Sequence, residues 1–199
     1  QLPWSAGDAE TRRKAIEPRR FDALRLLRQV PAITELAQVD ATGTERLRVS
    51  RLAMDAIDSG IDLSGDPKFT EAVAHKVYYG PVYFRRDSEP YMTLALAGAR
   101  KDAGVSIAEV NLKLIWDVVS QIKVGEHGNA YVVGPEGRLI AHPDISLVLR
   151  NTDMSGLAQV RAAQSGGGTM SDPLPEARNI QGRKVLTALD GPATKVTVW

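Results

Sequence analysis

Residues 78–112 read YYGPVYFRRDSEPYMTLALAGARKDAGVSIAEVNL, and this stretch decides how the rest of the chain is interpreted. It predicts three consecutive antiparallel strands, over about 80–86, 91–99 and 105–112. The reason is that runs rich in aromatic and β-branched residues alternate with clusters of turn-forming residues. These clusters are Asp87-Ser88-Glu89-Pro90 and residues 100–104. We therefore expect an antiparallel sheet at the centre of the fold.

The two faces of these predicted strands differ in chemistry. Successive strand residues point to opposite sides of a sheet. One side of the second strand is apolar, with Met92, Leu94 and Leu96. The other side, together with the matching side of the first strand, carries alanines and the polar residues Tyr83, Arg85, Tyr91 and Thr93. Small residues beside a few polar groups are typical of a small-ligand pocket. The alternative is an ordinary solvent-exposed face of a one-sided sheet.

The candidate ligand-binding residues lie on this polar face or at its edges, and they are Arg51, Tyr79, Tyr83, Arg85, Tyr91, Thr93 and Glu109. Arginine and tyrosine donate hydrogen bonds to carboxylate-like oxygens, and Glu109 would accept from a ligand amine. Of the adjacent Tyr78 and Tyr79, we expect one to pack inward and the other to lie at the pocket edge. The predicted ligand is a small polar or anionic metabolite.

Composition excludes several functional classes. Lys and Arg total 25 against 24 Asp and Glu, a net charge of +1, which argues against a nucleic-acid partner. The chain has no cysteine, and its three histidines are scattered without the spacing of a zinc site. It contains no nucleophile elbow, phosphate loop or dinucleotide loop. We therefore predict no catalytic residues, no metal site and no cofactor, and expect that this chain is not an enzyme.

Helical and extended segments alternate along the whole chain. Residues 4–17 and 20–30 favour helices that Pro18 separates, and residues 32–43 and 45–52 favour a hairpin around the turn Asp40-Ala41-Thr42-Gly43. A short helix is expected at 69–76 and a connecting helix at 112–122. Residues 128–144 then predict a second hairpin, 154–164 a helix, 165–170 a Gly-rich turn, and 182–190 and 194–199 a final strand pair.

These segments predict an α+β fold with a long N-terminal helix and two modules, each an antiparallel sheet with flanking helices. The expected divisions are an N-terminal helical stalk at 1–30, a first module at 31–112, a connector helix at 113–122 and a second module at 123–199. The hairpins DATGTERLRVSR and GPEGRLIAHPD indicate a weak internal duplication. The chain begins at Gln1 and stops within the strand-like run VTVW, so we expect both ends to be internal points of a longer protein.

The sequence resembles the double Cache sensor domain, a tandem of PAS-like modules, of bacterial transmembrane receptors. The resemblance rests on VDATGTERLRVSR, GPVYF with SEPYMTLALAG, GVSIAEVNL and VGEHGNAYVVGPEGRLIAHPD. It implies a ligand pocket in a membrane-distal first module and a membrane-proximal second module. It also implies a periplasmic location, membrane spans on both sides of this region, and a homodimer through the N-terminal helix. The implied output domain, outside this chain, is a histidine kinase or nucleotide cyclase, or else a chemotaxis signalling domain.

One subclass of that family binds amino acids through a run containing Arg-x-Trp-Tyr and a later acidic residue. The corresponding place here, near 61–69, has neither Arg nor Trp, although Glu109 matches the acidic position. The departure argues against an amino-acid ligand. Two alternatives stay open: a periplasmic module that docks a partner protein or acts as a dimerisation spacer, and a soluble binding protein.

Overall fold

The computed structural model describes residues 9–85, 89–100, 102–124, 128–165, 177–185, 188–190 and 195–198. The predicted turns at 87–90 and 165–170 lie largely outside these residues. The chain divides into two compact units. The first takes in residues up to Gly80 together with Tyr91–Asn111, and the second takes in Pro81–Pro90 and the chain from Leu112 onward. The predicted module boundaries stay predictions.

The structure alternates helices and strands in an α+β arrangement. The helices are α1 (Ala9–Gln29), α2 (Pro67–His75), α3 (Lys113–Gln121), α4 (Ile145–Leu149) and α5 (Ala158–Gln164). The strands of the first half are β1 (Ile33–Val39), β2 (Glu45–Ser50), β3 (Ala56–Ile57), β4 (Val77–Tyr79), β5 (Tyr83–Arg85), β6 (Glu89–Ala97) and β7 (Val105–Asn111). Those of the second half are β8 (Lys123–Val124), β9 (Gly128–Val133), β10 (Leu139–Ala141), β11 (Ala188–Asp190) and β12 (Lys195–Val198).

The first unit is an antiparallel sheet with a separate core on each face. Its strand order is β3-β2-β1-β7-β6-β4, so β1, β7 and β6 occupy the middle. One core joins α1 to the side chains Leu36, Leu47, Val49 and Ala108. The other core joins α2 to Ala37, Val39, Ala95, Val105 and Ile107. Because alternate residues of each central strand enter different cores, the strands are apolar on both sides.

Helix α1 continues through Pro18, so the predicted break at this residue is wrong. Proline inside a helix costs about 3 kcal/mol because it removes one hydrogen bond and crowds the preceding turn. Ile16 and Leu27 are 1% and 3% exposed against the sheet, on opposite sides of Pro18 along the helix. Burying such a side chain stabilises by about 1.5–3 kcal/mol. Packing on both sides therefore outweighs the proline, which lies on the exposed face of α1.

The second unit has its own sheet and core. Strand order is β10-β9-β12-β11, with β8 paired to β9, and the predicted hairpin at 128–144 is confirmed by the antiparallel pairing of β9 and β10. The core contains Tyr131, Val133, Leu139, Val148, Met154 and Val160. Val82 packs against this core as well, which explains why the segment Pro81–Pro90 belongs to the second unit.

Three local expectations need correction. The first predicted strand, 80–86, is only Tyr83–Arg85, and a separate strand at Val77–Tyr79 precedes it, because Pro81 has no N–H for a sheet. The predicted helix 154–164 begins at Ala158. Helix α4, which Asp144 caps by accepting from Ser146 N–H, was not predicted because it is shorter than two turns. The described helices include none that is both long and apolar enough to cross a membrane.

Candidate functional site

The α2-side face of the first sheet changes from apolar to polar along its central strands. Directly paired residues of neighbouring strands point to the same face. The register places Ser50, Glu35, Glu109 and Thr93 in one row across β2, β1, β7 and β6. The adjacent row toward α2 contains Ala37, Ile107 and Ala95. We refer to Glu35, Glu109 and Thr93 as the polar row.

Glu109 is the most deeply placed charged group of the polar row. It is 9% exposed, and the Thr93 hydroxyl lies 3.0 and 3.1 Å from its two carboxylate oxygens. Glu35 is half-buried directly opposite it on β1. Like charges in such a pair destabilise a sheet. The pair therefore concentrates negative charge at this end of the polar face.

Tyr91 extends the polar face by one further row. Its ring is 2% exposed, and its hydroxyl accepts a hydrogen bond of 3.2 Å from the Asn111 side chain on β7. The register pairs Tyr91 with Asn111 next to the Thr93–Glu109 pair. The structure thus brings together three of the sequence-derived candidates: Tyr91, Thr93 and Glu109.

Tyr79 and Arg51 are placed differently. Tyr79 pairs with Leu94, so it lies on the α1 side of the sheet, whereas Tyr78 pairs with Ala95 and packs in the core beneath α2. The inward tyrosine is therefore Tyr78. Arg51 follows β2, is exposed, and its Nε donates to the Ile33 carbonyl at 3.0 Å. Neither Tyr79 nor Arg51 shares the polar row.

Tyr83 and Arg85 belong to the second unit. The Arg85 guanidinium lies 5.7 Å from the centre of the Tyr83 ring, which is within cation–π range. The expectation of a common face with Tyr91 rested on a continuous strand from 80 to 86. Both residues lie on the single strand β5, which pairs with β6, and their common face with Tyr91 stays a prediction.

Glu35 and Asn111 are polar-face residues that the sequence reasoning missed. Both follow from the alternation in β1 and β7 once the register is known. The signal was available, since Glu35 interrupts an otherwise apolar face of ITELAQV. Local alternation does not show that β1 pairs with β7, because a long stretch of chain separates these two strands.

A second charged cluster stabilises the β1–β2 turn. The Asp40 carboxylate accepts from the N–H groups of Thr42 and Thr44, the Thr42 hydroxyl and, at 2.8 Å, Arg46 Nε. Burial raises the pKa of Asp40, but these hydrogen bonds outweigh it and lower the pKa overall. Arg46 also donates to Asp58 at 2.8 Å. Gly43, the last residue of this turn, has a positive φ, a conformation that glycine adopts readily.

Metal ligation has no counterpart in the described part of the chain, where no three His, Cys, Asp or Glu side chains could hold a metal ion. Two of the histidines have other roles. His75 is exposed and pairs with Glu71 within α2. His142 is buried in the second unit and accepts from the N–H of Asp144. His127 lies outside the described residues.

Comparisons with known proteins place this fold among receptor sensory domains. No protein-family profile matches the chain. Over 49 residues it is 37% identical to the methyl-accepting chemotaxis protein PscA of Pseudomonas syringae pathovar tomato. That match covers 25% of this chain and 8% of the length of that receptor.

The similar solved structures align over most of the chain. One is the extracellular domain designated histidine kinase mmHK1S-Z2, with a TM-score of 0.61, 15% identity, and coverage of 92% of this chain and 80% of that one. Another is the sensory domain of the Campylobacter jejuni chemoreceptor Tlp3, with a TM-score of 0.55, 15% identity and coverage of 100% and 78%.

A third is the ligand-binding domain of the Pseudomonas aeruginosa amino acid chemoreceptor PctC in complex with GABA. Its TM-score is 0.53 at 17% identity, with coverage of 98% of this chain and 82% of that one. The predicted α+β class is confirmed, and the resemblance noted in the sequence is confirmed at the level of the fold. This chain has the fold of the extracellular sensory domains of histidine kinases and chemoreceptors.

Proposed function

We propose that this chain is the extracytoplasmic small-molecule-sensing part of a transmembrane signal-transduction receptor, with its ligand bound on the polar row of the first unit. The fold shared with receptor sensory domains supports the sensing role. The observation that carries the location is the buried Glu109 carboxylate, held by Thr93 and directly opposite Glu35. Membrane spans outside this chain and a kinase or cyclase output domain complete the proposed receptor.

The ligand proposed for this site is a small metabolite that bears an amine. Two facing carboxylates favour a cationic or multiply donating group, which an ammonium supplies with three N–H donors. The similar PctC domain is described as an amino acid chemoreceptor domain in complex with GABA, which also carries an amine. The expected anionic group would be bound by Arg85 and Tyr83 on β5, which pairs with β6, and it stays a prediction.

Signalling would follow from differential binding. A ligand shifts a receptor only by as much as it prefers one of two conformations over the other. An ammonium between Glu35 and Glu109 would relieve the repulsion across β1 and β7, the two central strands. Because α1 packs on the opposite face of the same strands through Ile16 and Leu27, a change in strand spacing would reach this helix directly.

Thermal stabilisation by matched pairs of small molecules tests the proposal. γ-Aminobutyrate, alanine and putrescine are compared with butyrate, propionate and butanediol, which lack the amine. A ligand at one hundred times its Kd stabilises by about 2.7 kcal/mol. We expect stabilisation by at least one amine and by none of the amine-free analogues, and loss of this effect in Glu109→Gln.

The control is Glu45→Gln in the same unit. Glu45 is likewise buried, at 4% exposure, and accepts from the Ser59 hydroxyl at 2.7 Å. It pairs with Val39, four residues along β1 from Glu35, about 13 Å away. This variant should retain the ligand response. Equal stabilisation by amine-free analogues, or an unchanged response in Glu109→Gln, would refute the site.

A second candidate function is a docking or dimerisation module, and exposed apolar side chains favour it. Three apolar residues of α1 are not available for a dimer contact, because Ile16 and Leu27 lie in the core of the first unit and Leu24 packs against it. Phe21, however, is 63% exposed on α1. Sedimentation of the wild type and Phe21→Ser at increasing concentration tests dimerisation through α1. A monomer at every concentration, with or without ligand, would remove the support for this candidate.

A further inference from the structure

The second unit contains an open groove of about 630 Å³ between the first turn of α5 and the turn over residues 178–184. Leu157 and Arg161 line the groove from the α5 side, and Arg178 and Lys184 line it from the side of the turn. Small-ligand sites typically have volumes of about 300–1,000 Å³, so the groove is large enough for a metabolite or a lipid headgroup. It shares no residue with the polar row of the first unit.

The charged side chains among the described lining residues are all basic, and they are Arg161, Arg178 and Lys184. All three are exposed, and the ion pairs found within the described part of the chain include none of them. Asp153, the described acid nearest to the groove in sequence, lies 3.9 Å from Arg138 instead. A cleft lined by charges of one sign attracts ligands of the opposite sign.

The backbone brings two of these cations together. Arg178 and Lys184 lie directly opposite each other in an antiparallel bridge, so their side chains point to the same side of the turn. Like charges in such a pair repel each other. An anion bound beside them would therefore gain attraction from both residues and would also offset their mutual repulsion.

Arg178 is already held in place by the turn that carries it. Its Nη1 donates to the Gly182 carbonyl at 2.6 Å. The turn is closed by Asn179, whose side-chain oxygen accepts from the N–H groups of Gln181 and Arg183. A guanidinium has five N–H donors, so this one described bond fixes the group and leaves further donors for a ligand. A side chain that is fixed in advance loses less entropy when it binds.

Two guanidinium groups and one ammonium favour a phosphate over a carboxylate. Guanidinium binds two phosphate oxygens at once through parallel hydrogen bonds, and ammonium acts as a point charge. A phosphate monoester carries a charge of about −1.5 to −2 at pH 7 and has three acceptor oxygens. A single carboxylate offers one charge and two oxygens, so it can satisfy fewer of the donors in this groove.

We propose that this groove binds a phosphate monoester, which is either a soluble metabolite or the headgroup of a lipid such as phosphatidate. Arg161 and Arg178 donate hydrogen bonds to the phosphate oxygens, and Lys184 adds a third positive charge. The site selects a charge opposite to that selected by the polar row, and it does not depend on the amine ligand proposed for the first unit.

Nuclear magnetic resonance of the ¹⁵N-labelled chain tests this with glycerol 3-phosphate, lactate and glycerol. Glycerol 3-phosphate should saturably shift the amide resonances of Gly156 and Gly182, which line the groove, and should leave Gly43 in the first unit unchanged. Lactate should bind about tenfold more weakly because it carries roughly half the charge, and glycerol should not bind. Added sodium chloride should weaken the binding, because salt screens exposed charges.

Two charge-removing variants and one matched control locate the site. Arg161→Gln and Lys184→Gln alter exposed residues, so both should fold. Each should weaken the binding of glycerol 3-phosphate about tenfold, the effect of one lost hydrogen bond to a charged group. Arg150→Gln removes an exposed arginine of the same unit that contacts Ser146 and does not line the groove, and it should leave the titration unchanged.

Flotation with phosphatidylcholine vesicles that contain or lack phosphatidate distinguishes the two sources of the phosphate. Retention on phosphatidate vesicles that is lost in Arg161→Gln assigns the site to a lipid headgroup. Saturable binding of glycerol 3-phosphate without retention on vesicles assigns it to a soluble ester. The proposal is overturned if neither probe binds, if lactate binds as tightly as glycerol 3-phosphate, or if Arg150→Gln weakens binding as much as Arg161→Gln.

Discussion

The buried polar groups of the two units differ in charge, although both lie on antiparallel sheets. In the first unit two glutamates face each other on central strands, with Glu109 only 9% exposed. In the second unit the buried polar groups Tyr131, His142 and Gln159 are neutral and linked through hydrogen bonds or ring contacts. Charged groups need a compensating charge when buried, whereas neutral groups need only hydrogen-bond partners. The stability of the first unit should thus depend on charge, and that of the second on hydrogen bonds between neutral groups.

The strongest way to separate the two units is a backbone change in the first. Gly104 precedes β7 with φ of +73°, and an added Cβ would overlap the carbonyl oxygen of Val39. Gly104→Ala should destabilise the first unit by roughly 4 kcal/mol or more, because backbone cannot move aside as a side chain can. Hydrogen exchange resolved by residue measures this as lost protection in β1 and β7, with β9 and β10 preserved.

Gly182 in the second unit is the matched position. Its φ is +78°, and an added Cβ would meet nothing within 4 Å. Gly182→Ala should therefore lower the free energy of unfolding by roughly 1–2 kcal/mol, the cost of a left-handed backbone conformation for alanine. If the two variants lose equal protection from hydrogen exchange, the overlap with the Val39 carbonyl is not what makes Gly104→Ala destabilising.

A charge-removing change in the first unit should have the next largest effect. Asp40→Asn keeps the shape but removes the charge that Arg46 and the turn amides contact. Arg46 keeps its ion pair with Asp58, so the expected loss is that of hydrogen bonds to a charged group, about 1.5–3 kcal/mol. Chemical denaturation at pH 7 measures the loss.

The acid dependence of Asp40→Asn provides a second readout. Since the pKa of Asp40 is lowered by folding, its contribution is present above the ordinary value of 3.8 and disappears as pH falls through the lowered pKa. The wild type and Asp40→Asn should therefore converge in stability at strongly acidic pH. Asp62→Asn, an exposed aspartate in the same unit, should change stability little at neutral pH. A gap between wild type and Asp40→Asn that persists unchanged in acid would contradict this account.

Two threonines sharpen the contrast between charged and neutral hydrogen bonds. Thr93 donates to the Glu109 carboxylate, whereas Thr152 donates to the Leu147 carbonyl at 2.6 Å. Hydrogen bonds to charged groups contribute about 1.5–3 kcal/mol and neutral ones about 1 kcal/mol. In denaturation experiments, Thr93→Val should cost about twice as much as Thr152→Val. The reverse order would argue that Glu109 does not depend on Thr93.

The smallest expected effect is the pH response of His142. Burial lowers the pKa of His142 in the folded chain below the ordinary 6.5. At a pH between the lowered pKa and 6.5, the unfolded chain therefore binds more protons than the folded chain. The free energy of unfolding of the second unit should therefore decrease as pH falls from about 6.5. His142→Gln should reduce that slope, and His75→Gln should not. An identical slope in wild type and His142→Gln would show that His142 is not buried as a neutral ring.

Alternation within a single segment allowed much of the fold to be predicted. The strands β6 and β7, the helix α3 and the hairpin β9–β10 follow from local periodicity and turn residues. Thr93 and Glu109 could be placed on one face for the same reason. Local patterns fail where distant packing decides, as at Pro18, where Ile16 and Leu27 hold the helix on the sheet.

The rest of the site depended on pairing that no local pattern shows. Glu35 becomes a site residue only because β1 lies beside β7. Tyr83 and Arg85 fall in the second unit because Val82 packs against Tyr131 and its neighbours, although the chain on both sides of Pro81–Pro90 belongs to the first. Periodicity predicts the face of a strand on which a side chain lies, but not the hydrophobic core against which that face packs.

The segment Pro81–Pro90 also has a consequence for synthesis and for dissection of the protein. It leaves the ribosome before Leu112 and everything that follows, yet it packs with that later chain. The apolar side chain of Val82 must therefore stay without its core until β9, α4 and α5 have been translated. A fragment that ends at Asn111 would contain the whole first unit. It would also contain Pro81–Pro90 without the later residues against which this segment packs. A clean separation of the two units requires replacing 81–90 with a short polar linker between Gly80 and Tyr91.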